Sequence, residues 1–335
     1  MIKITFINVG HGDSICLEWV KDGKRRIGII DSNNPPKQGT PTIDYINSIS
    51  FDEVFFILLS HPHLDHYSGM LDLINHCVAN SISIKHVIHT SIINSEFIRA
   101  NLKSLSAQSA LIDLFKRWSE LHNNKTFDVS FIGSGMIDEI PLTPDLQLKI
   151  LSPSHSEQSK YITSENYNNI HDEEGAHNKP IANLLSTFLA IHSDKWYILL
   201  TSDVEKATFH RIKNEALLKK KLKIAQCAHH GSIHNFFSGF WRDLNKDPDT
   251  PIVFSCGKNT YNHPNGDIIK KLRRYGYEIY STNKVGGIQG IEKEDAQKTT
   301  ALNMFSTVRL SKKHSQYMGN KSFIINTKGV LNNLN

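Results

Sequence analysis

Hydrophobic and polar positions alternate through residues 2–32, where "KITFINVG", "DSICLEWV" and "RRIGIIDS" each read as a strand of one β-meander. "FDEVFFILLS" is apolar almost throughout, the pattern of a strand covered on both faces. "SGMLDLINHCV" has helical spacing and "IKHVIHT" returns to strand. Leucines and isoleucines at three- and four-residue intervals over residues 93–123 predict an amphipathic helix or helix pair. "TFDVSFIG" and "LQLKILSP" read as strands, and residues 154–180, polar and aperiodic, predict a loop over a site. Downstream, "LLSTFLAIHS", "KWYILLTSD", "LKIAQCAHHGS", "TPIVFSCG" and "YEIYSTN" read as strands. "EKATFHRIKNEALLKKK" and "GDIIKKLRRYG" read as helices, and the tail is strand-rich. No repeat or linker is visible. The pattern predicts one α/β domain over residues 1–335, with two sheets inside and helices outside.

Composition changes this picture little. Apolar content of 39% and charged content of 21% are ordinary for a globular protein. The apolar runs are far shorter than the ~20 residues of a membrane-spanning helix. The N-terminus lacks the phases of a signal peptide, so the expected location is the cytoplasm, with no membrane partner. Cys16, Cys77, Cys227 and Cys256 form no C-x-x-C pair, which argues against a disulfide framework or a thiolate zinc site. The net charge of +5 includes "KRR" at 24–26, "KKKLK" at 219–223 and "KKLRR" at 270–274. These are solvated faces of helices and turns, or contacts for a polyanion. The 18 histidines are the anomaly, because they gather in motifs.

The densest motif is "LLSHPHLDHYSG", where His61, His63, Asp65 and His66 follow directly on the buried strand. Imidazole and carboxylate are the ligands that zinc or manganese accepts where thiolates are absent. In an H-x-H-x-D-H turn the first two histidines can face one ion and the Asp–His pair a second, ~3.5–4 Å away. Further ligands are expected at other strand ends. Asp203 ends "YILLTSD", where it could bridge two ions or cap the next helix. His229 and His230 end "IAQCAHHGS", and His263 stands in "YNHPN".

Together these pieces resemble the metallo-β-lactamase fold superfamily, and within it the hydrolase domain of ComEC-type competence proteins and their stand-alone relatives. The resemblance lies in "SHPHLDH", "VGHGDS" (9–14), "GIIDS" with Asp31, "TSD" (201–203), "AHHGS" (228–232) and "YNHP" (261–264), and spans residues 2–290. It implies a four-layer αββα sandwich with two divalent ions, Zn or Mn, where the loops of the two sheets meet. His61 and His63 then match ligands of the first ion, Asp65 and His66 those of the second, and Asp203 the bridging carboxylate. One of His229 and His230 completes the second site; the motif does not say which. Asp31 is expected to orient the motif's histidines. The superfamily often has another histidine ligand between its halves, and the residue in a comparable place is His155 in "ILSPSHS". The chain departs from the family pattern with serine in "TSD", histidine in "VGHGD" and asparagine in "YNHP", which bear on substrate geometry rather than on metal.

Two such ions would make an activated water available near neutral pH and polarise the bond attacked. Asp65 and His263 are the candidate catalytic residues. His263 would donate a proton to the leaving oxygen or bind phosphate, a role for which a near-neutral pKa suits. His11 and Asp13 are candidate substrate contacts. Three readings follow: a phosphodiesterase or nuclease acting on nucleic acid or nucleotides; an acyl- or amide-bond hydrolase of lactamase, thioesterase or peptidase type; and an effector module gated by a protein partner.

Overall fold

The structure, a computed structural model, describes residues 1–36, 38–90, 105–133, 139–162, 182–291 and 314–334. Strands β1 (Ile2–Phe6), β2 (Ile15–Lys21), β3 (Lys24–Ile30), β4 (Glu53–Leu59), β5 (Ile84–His89) and β6 (Asp128–Phe131) run in order across a first sheet. Strands β7 (Ile140–Thr143), β8 (Leu146–Ser152), β9 (Phe188–His192), β10 (Trp196–Leu200), β11 (Lys221–Gln226), β12 (Thr250–Phe254) and β13 (Tyr277–Ser281) make a second. Strands β14 (Lys321–Ile325) and β15 (Leu331–Asn333) return to the first sheet beside β1. The described helices are α1 (Pro41–Asn47), α2 (Leu64–Tyr67), α3 (Met70–Ala79), α4 (Leu105–Asn123), α5 (His155–Ile162), α6 (Lys206–Ile212), α7 (Ser238–Asp243) and α8 (Gly266–Arg274).

Three hydrophobic cores define four layers. Between the sheets, Ile4, Phe6, Phe56 and Leu58 of the first meet Leu148, Ile191, Ile198 and Val253 of the second. On the outer face of the first sheet, Val54, Ile57 and Leu59 pack with Leu73 and Ile74 of α3 and Leu114 and Trp118 of α4. On the outer face of the second, Leu199, Ala225 and Ile252 pack with Phe209 of α6, Trp241 of α7 and Ile268 and Leu272 of α8. The molecule is therefore an αββα sandwich. β4 reads as unbroken apolar sequence because a core covers each of its faces. A register shift between Ile27 and Gly28 lets Phe55 and Phe56 both pack toward the inter-sheet core. Gly28 is required there, since an added Cβ would strike the Phe56 ring.

In both sheets an antiparallel run gives way to parallel strands: β1 to β3 and then β3 to β6, β7 to β10 and then β10 to β13. This repeat of topology is invisible in the residue pattern, because pairing order constrains where apolar residues fall and not which ones they are. It places the carboxyl ends of β3, β4, β10, β11 and β12 at one pole, the usual position of a site in an α/β sheet.

Several expectations change. Of the predicted 93–123 helix, Leu105–Asn123 is helical and 93–104 lies outside the described residues. The expected loop at 154–180 begins instead with α5, and its remainder also lies outside them. The signal for α5 was present as S-x-x-E. Ser154 N–H donates to Glu157 Oε2 at 2.6 Å and Glu157 N–H to Ser154 Oγ at 3.2 Å, a reciprocal cap. The long helix expected after Asp203 stops at Ile212, and a short 3₁₀ turn follows at Ala216–Lys219, which drops Leu217 and Leu218 into the core. β7 was not foreseen; Pro141 breaks its pattern and is tolerated because β7 is an edge strand.

The basic clusters lie at the opposite pole, where parallel strands begin. Lys221 and Lys223 at the start of β11 both bind Asp247 at 3.0 Å, and Arg26 near the start of β3 pairs with Glu53. Lys271, Arg273 and Arg274 occupy the last turn of α8, where they complement the helix dipole.

Lys321 is fully buried at the start of β14, its ammonium donating to the Met318 carbonyl at 2.5 Å. Burial pushes its pKa down to about 8. Above that pH the folded protein sheds a proton that the unfolded chain keeps up to about 10.4. Stability should therefore rise through this window, on the order of 3 kcal/mol at its upper end. Urea unfolding at about pH 8 and about pH 10 should show the rise in the wild type and a flatter response in Lys321→Met; parallel responses would exclude it.

Candidate metal centre

Four strand ends and one loop build the site. Past β4, Ser60 and His61 leave the strand, and His63, Asp65 and His66 follow at the start of α2. Past β3 comes Asp31, past β10 Ser202 and Asp203, and past β11 His229 and His230. Asp31, Ser202, His229 and His230 have φ of 59°, 45°, 48° and 52°, left-handed values that non-glycine residues adopt at a cost. The β1–β2 loop closes over this pole with His11 and Asp13. Gly12 makes its approach possible: at φ 131° an added Cβ would strike the Asp65 carbonyl, which accepts the Asp13 N–H at 3.1 Å.

Asp203, 2% exposed, lies at the centre. Its Oδ2 is 3.7 Å from His61 Nε2 and 3.5 Å from His229 Nε2. Its Oδ1 is 3.7 Å from His66 Nε2 and 3.7 Å from His230 Nε2. His63 Nδ1 lies 2.9 Å from His61 Nε2, and Asp65 Oδ2 lies 3.4 Å from His230 Nε2. Asp203 Oδ1, His66 Nε2 and His230 Nε2 are buried without hydrogen-bond partners. Converging polar atoms left unpaired in an interior call for an additional group, and this donor set suits a divalent cation.

Three of the ligand candidates, His66, His61 and His230, are held from behind. Asp31 accepts from Ser60 N–H at 2.8 Å, Ser60 Oγ–H at 2.6 Å and His66 Nδ1–H at 2.7 Å, and so holds the His66 ring through its far nitrogen. Ser202 Oγ–H donates to Ser60 Oγ at 2.8 Å and lies 3.2 Å from His61 Nδ1, which ties the first histidine to the same carboxylate. Ser202 of "TSD" thus has a specific contact. His230 Nδ1–H donates to the Ser255 carbonyl at 2.7 Å.

Charge follows from this packing. Burial opposes charge on His66, but Asp31, Asp203 and Asp65 outweigh it and raise its pKa. Burial likewise opposes charge on His230, which Asp203, Asp65 and Asp13 push up to about 9. Burial works against the carboxylates too, yet His66 and His230 hold Asp65 well below the usual range. His229, His230 and His66 do the same for Asp203. Burial, then His66 and His63, lowers His61. The side chains thus carry protons between the carboxylates, and a bound cation would displace them.

The predicted residues divide clearly. His61, His63, Asp65, His66, Asp203, His229 and His230 come together. His155 does not: it opens α5, is exposed, lies 3.4 Å from the Ser159 hydroxyl and joins none of the converging groups among the described residues. Asp13 is no substrate contact, being 1% exposed and accepting from Gln226 Nε2–H at 2.7 Å. His11 and His263 do line the cleft, of about 790 Å³, beside Tyr261 and His234. Burial, then His229 and His230, pushes His263 down to about 4 rather than near neutrality. This environment favours its neutral, hydrogen-bonding imidazole over the imidazolium. Sequence reasoning missed Gln226, whose Oε1 accepts Thr201 N–H at 3.0 Å and Ser202 N–H at 3.1 Å. It also missed Asn33, whose amide donates to the carbonyls of Val9 and His11 at 3.0 and 2.7 Å. The only signal for Gln226 was a polar residue closing an apolar strand.

With this cluster at one pole, the molecule belongs to the class of four-layer αββα sandwiches. No protein-family model matches the chain, and no curated protein matches it. Among solved structures it is similar to unliganded yeast PDE1, at 12% identity and a TM-score of 0.48 over 84% of this chain and 97% of that one. It is similar to the metallo-β-lactamase fold protein YhfI from Bacillus subtilis, at 10% identity and a TM-score of 0.44 over 84% and 95%. It is also similar to Zn(2+)-bound PqqB from Methylobacterium extorquens, at 7% identity and a TM-score of 0.45 over 83% and 97%. At such identities the chemistry has to be read from this chain's own side chains.

Proposed function

We propose that this protein is a metal-dependent hydrolase of phosphodiesters, acting on a nucleotide or another small diester. The observation that carries the reading is Asp203, with two imidazole nitrogens within 3.7 Å of each of its oxygens. His61 and His63 would hold one ion, Asp65, His66 and His230 a second, and Asp203 would serve both. When bound, the pair would supply an activated water and neutralise charge on the group attacked.

The chain's remaining residues suit one phosphate. His11, His234 and His263 line the cleft around the carboxylates and offer imidazole N–H donors to non-bridging oxygens. Asp65 orients His230 and faces His11 at 3.9 Å, which joins the ligand set to the substrate side. No lysine or arginine lines the cleft among the described residues. Among the described residues, a long nucleic acid would find no cationic partners in the cleft for its further phosphates, because the described basic clusters stand at the opposite pole. The ComEC-type motifs favour phosphodiester chemistry, and the lining favours a small version of it.

After loading with manganese or zinc, the protein should hydrolyse bis(p-nitrophenyl) phosphate and the p-nitrophenyl ester of a nucleoside monophosphate. It should degrade long single-stranded DNA more slowly per bond and leave a chromogenic lactam intact. Lactam or thioester turnover without phosphodiester turnover would overturn the reading.

A further inference from the structure

We propose that His229 is a ligand of the first ion, so that the neighbouring His229 and His230 supply one histidine to each ion. The assignment rests on the metal centre proposed above. His229 would then do what the strand-end histidine sought at His155 does not.

Asp203 sorts the histidines. His61 and His229 face its Oδ2 at 3.7 and 3.5 Å; His66 and His230 face its Oδ1, both at 3.7 Å. His63 joins the first group through His61, 2.9 Å away, and Asp65 joins the second through His230, 3.4 Å away. The second group then offers Asp65, His66, His230 and a carboxylate oxygen, the four ligands of a tetrahedral ion. Without His229 the first group has only His61, His63 and a carboxylate oxygen. With it the two groups match.

Hydrogen bonding fixes which nitrogen is presented. Asn235 Nδ2–H donates to the Val204 carbonyl at 3.0 Å, so Asn235 turns its Oδ1 toward His229. That oxygen can only accept, and it lies 3.0 Å from His229 Nδ1, which therefore carries the proton. Asn183 Nδ2, 3.4 Å from the same nitrogen, is engaged with Glu205 Oε1 at 3.1 Å. His229 Nε2 is the nitrogen that faces a carboxylate oxygen, 3.5 Å away. In the metal-free protein a proton on Nε2 would answer that carboxylate; a cation placed between the two would take the proton's place and bind both. A histidine held through one nitrogen by an amide oxygen, with the other aimed into a site, is the usual arrangement of a metal ligand.

The backbone supplies an independent reason. Successive side chains on an extended chain point to opposite faces. His229 and His230 both adopt left-handed backbone, at φ 48° and 52°, and both rings reach the same carboxylate. Strain of this kind persists where the surroundings hold a functional geometry.

The test is metal stoichiometry. The full chain is stripped with a chelator, reloaded with zinc, passed through gel filtration and measured by elemental analysis; cobalt-loaded protein gives an absorption spectrum. The wild type should hold two ions and His229→Ala one, with loss of part of the cobalt spectrum. His155→Ala should hold two. Asn235→Ala, which keeps the ligand but frees its ring, should weaken one of the two sites by about 10–100-fold. Circular dichroism of each variant shows whether it is folded; if His229→Ala is not, the Asn235→Ala affinity decides. Two ions in folded His229→Ala, at wild-type affinity, would overturn the assignment and leave the hydrolase reading standing. A wild type that binds no metal would overturn both.

Discussion

Replacing Asp203 with alanine should remove both ions and lower turnover by about a thousandfold or more, the equivalent of several kcal/mol of lost electrostatic stabilisation. The expectation follows from its position between the two histidine groups. Either oxygen alone could serve one ion; the pair would couple both. The metal-free protein should suffer as well, because His66 and His230 depend on Asp203 among the carboxylates that balance their charge. Removing one member of such a buried set costs roughly 3–5 kcal/mol. Asp203→Asn separates the effects, since it preserves volume and keeps one oxygen. Elemental analysis and kcat on a nitrophenyl phosphodiester are the measurements. An alanine variant with two ions and near-normal turnover would remove Asp203 from the centre.

Asp31→Ala should be nearly as damaging, although Asp31 touches neither substrate nor the proposed ions. Its carboxylate, 1% exposed, accepts three hydrogen bonds, two from Ser60 and one from His66. Alanine would leave all three donors unpaired in the interior and would sit badly at φ 59°. A loss of roughly 3–5 kcal/mol is expected for breaking the buried pair. Metal affinity should fall by about 10–100-fold as His66 loses its orientation. Asp31→Asn tolerates the backbone but turns an N–H₂ group toward a donor, so it should fall between. Urea unfolding and zinc titration measure the two losses; unchanged values in Asp31→Ala would mean that His66 is held by packing alone.

The sequence was most readable where the physics is local. "VFFILL" followed by H-x-H-x-D-H placed a buried strand and a turn crowded with imidazole and carboxylate groups, because strand periodicity and the spacing within a turn are set by neighbouring residues. Asp203 at the end of "YILLTSD" was legible for the same reason. α5 was also local, encoded by the Ser154–Glu157 cap, and was overlooked because its residues are polar. Asp13 was misplaced because its exposure depends on Gln226, 213 residues away. The basic clusters read as solvated faces or as polyanion contacts, and strand direction puts them at the pole away from the cleft. His155 and His229 show the contrast best, since each is a histidine just past a strand. By itself the sequence determined most of the strands, and the order and chemical types of the side chains that gather at the site. Only the tertiary structure decided which histidines meet. Ser60 and Ser202, 142 residues apart, touch at 2.8 Å, and that contact between the sheets closes the site. Chain spacing cannot encode it, because it depends on how two sheets pack and on left-handed turns that the surrounding fold stabilises.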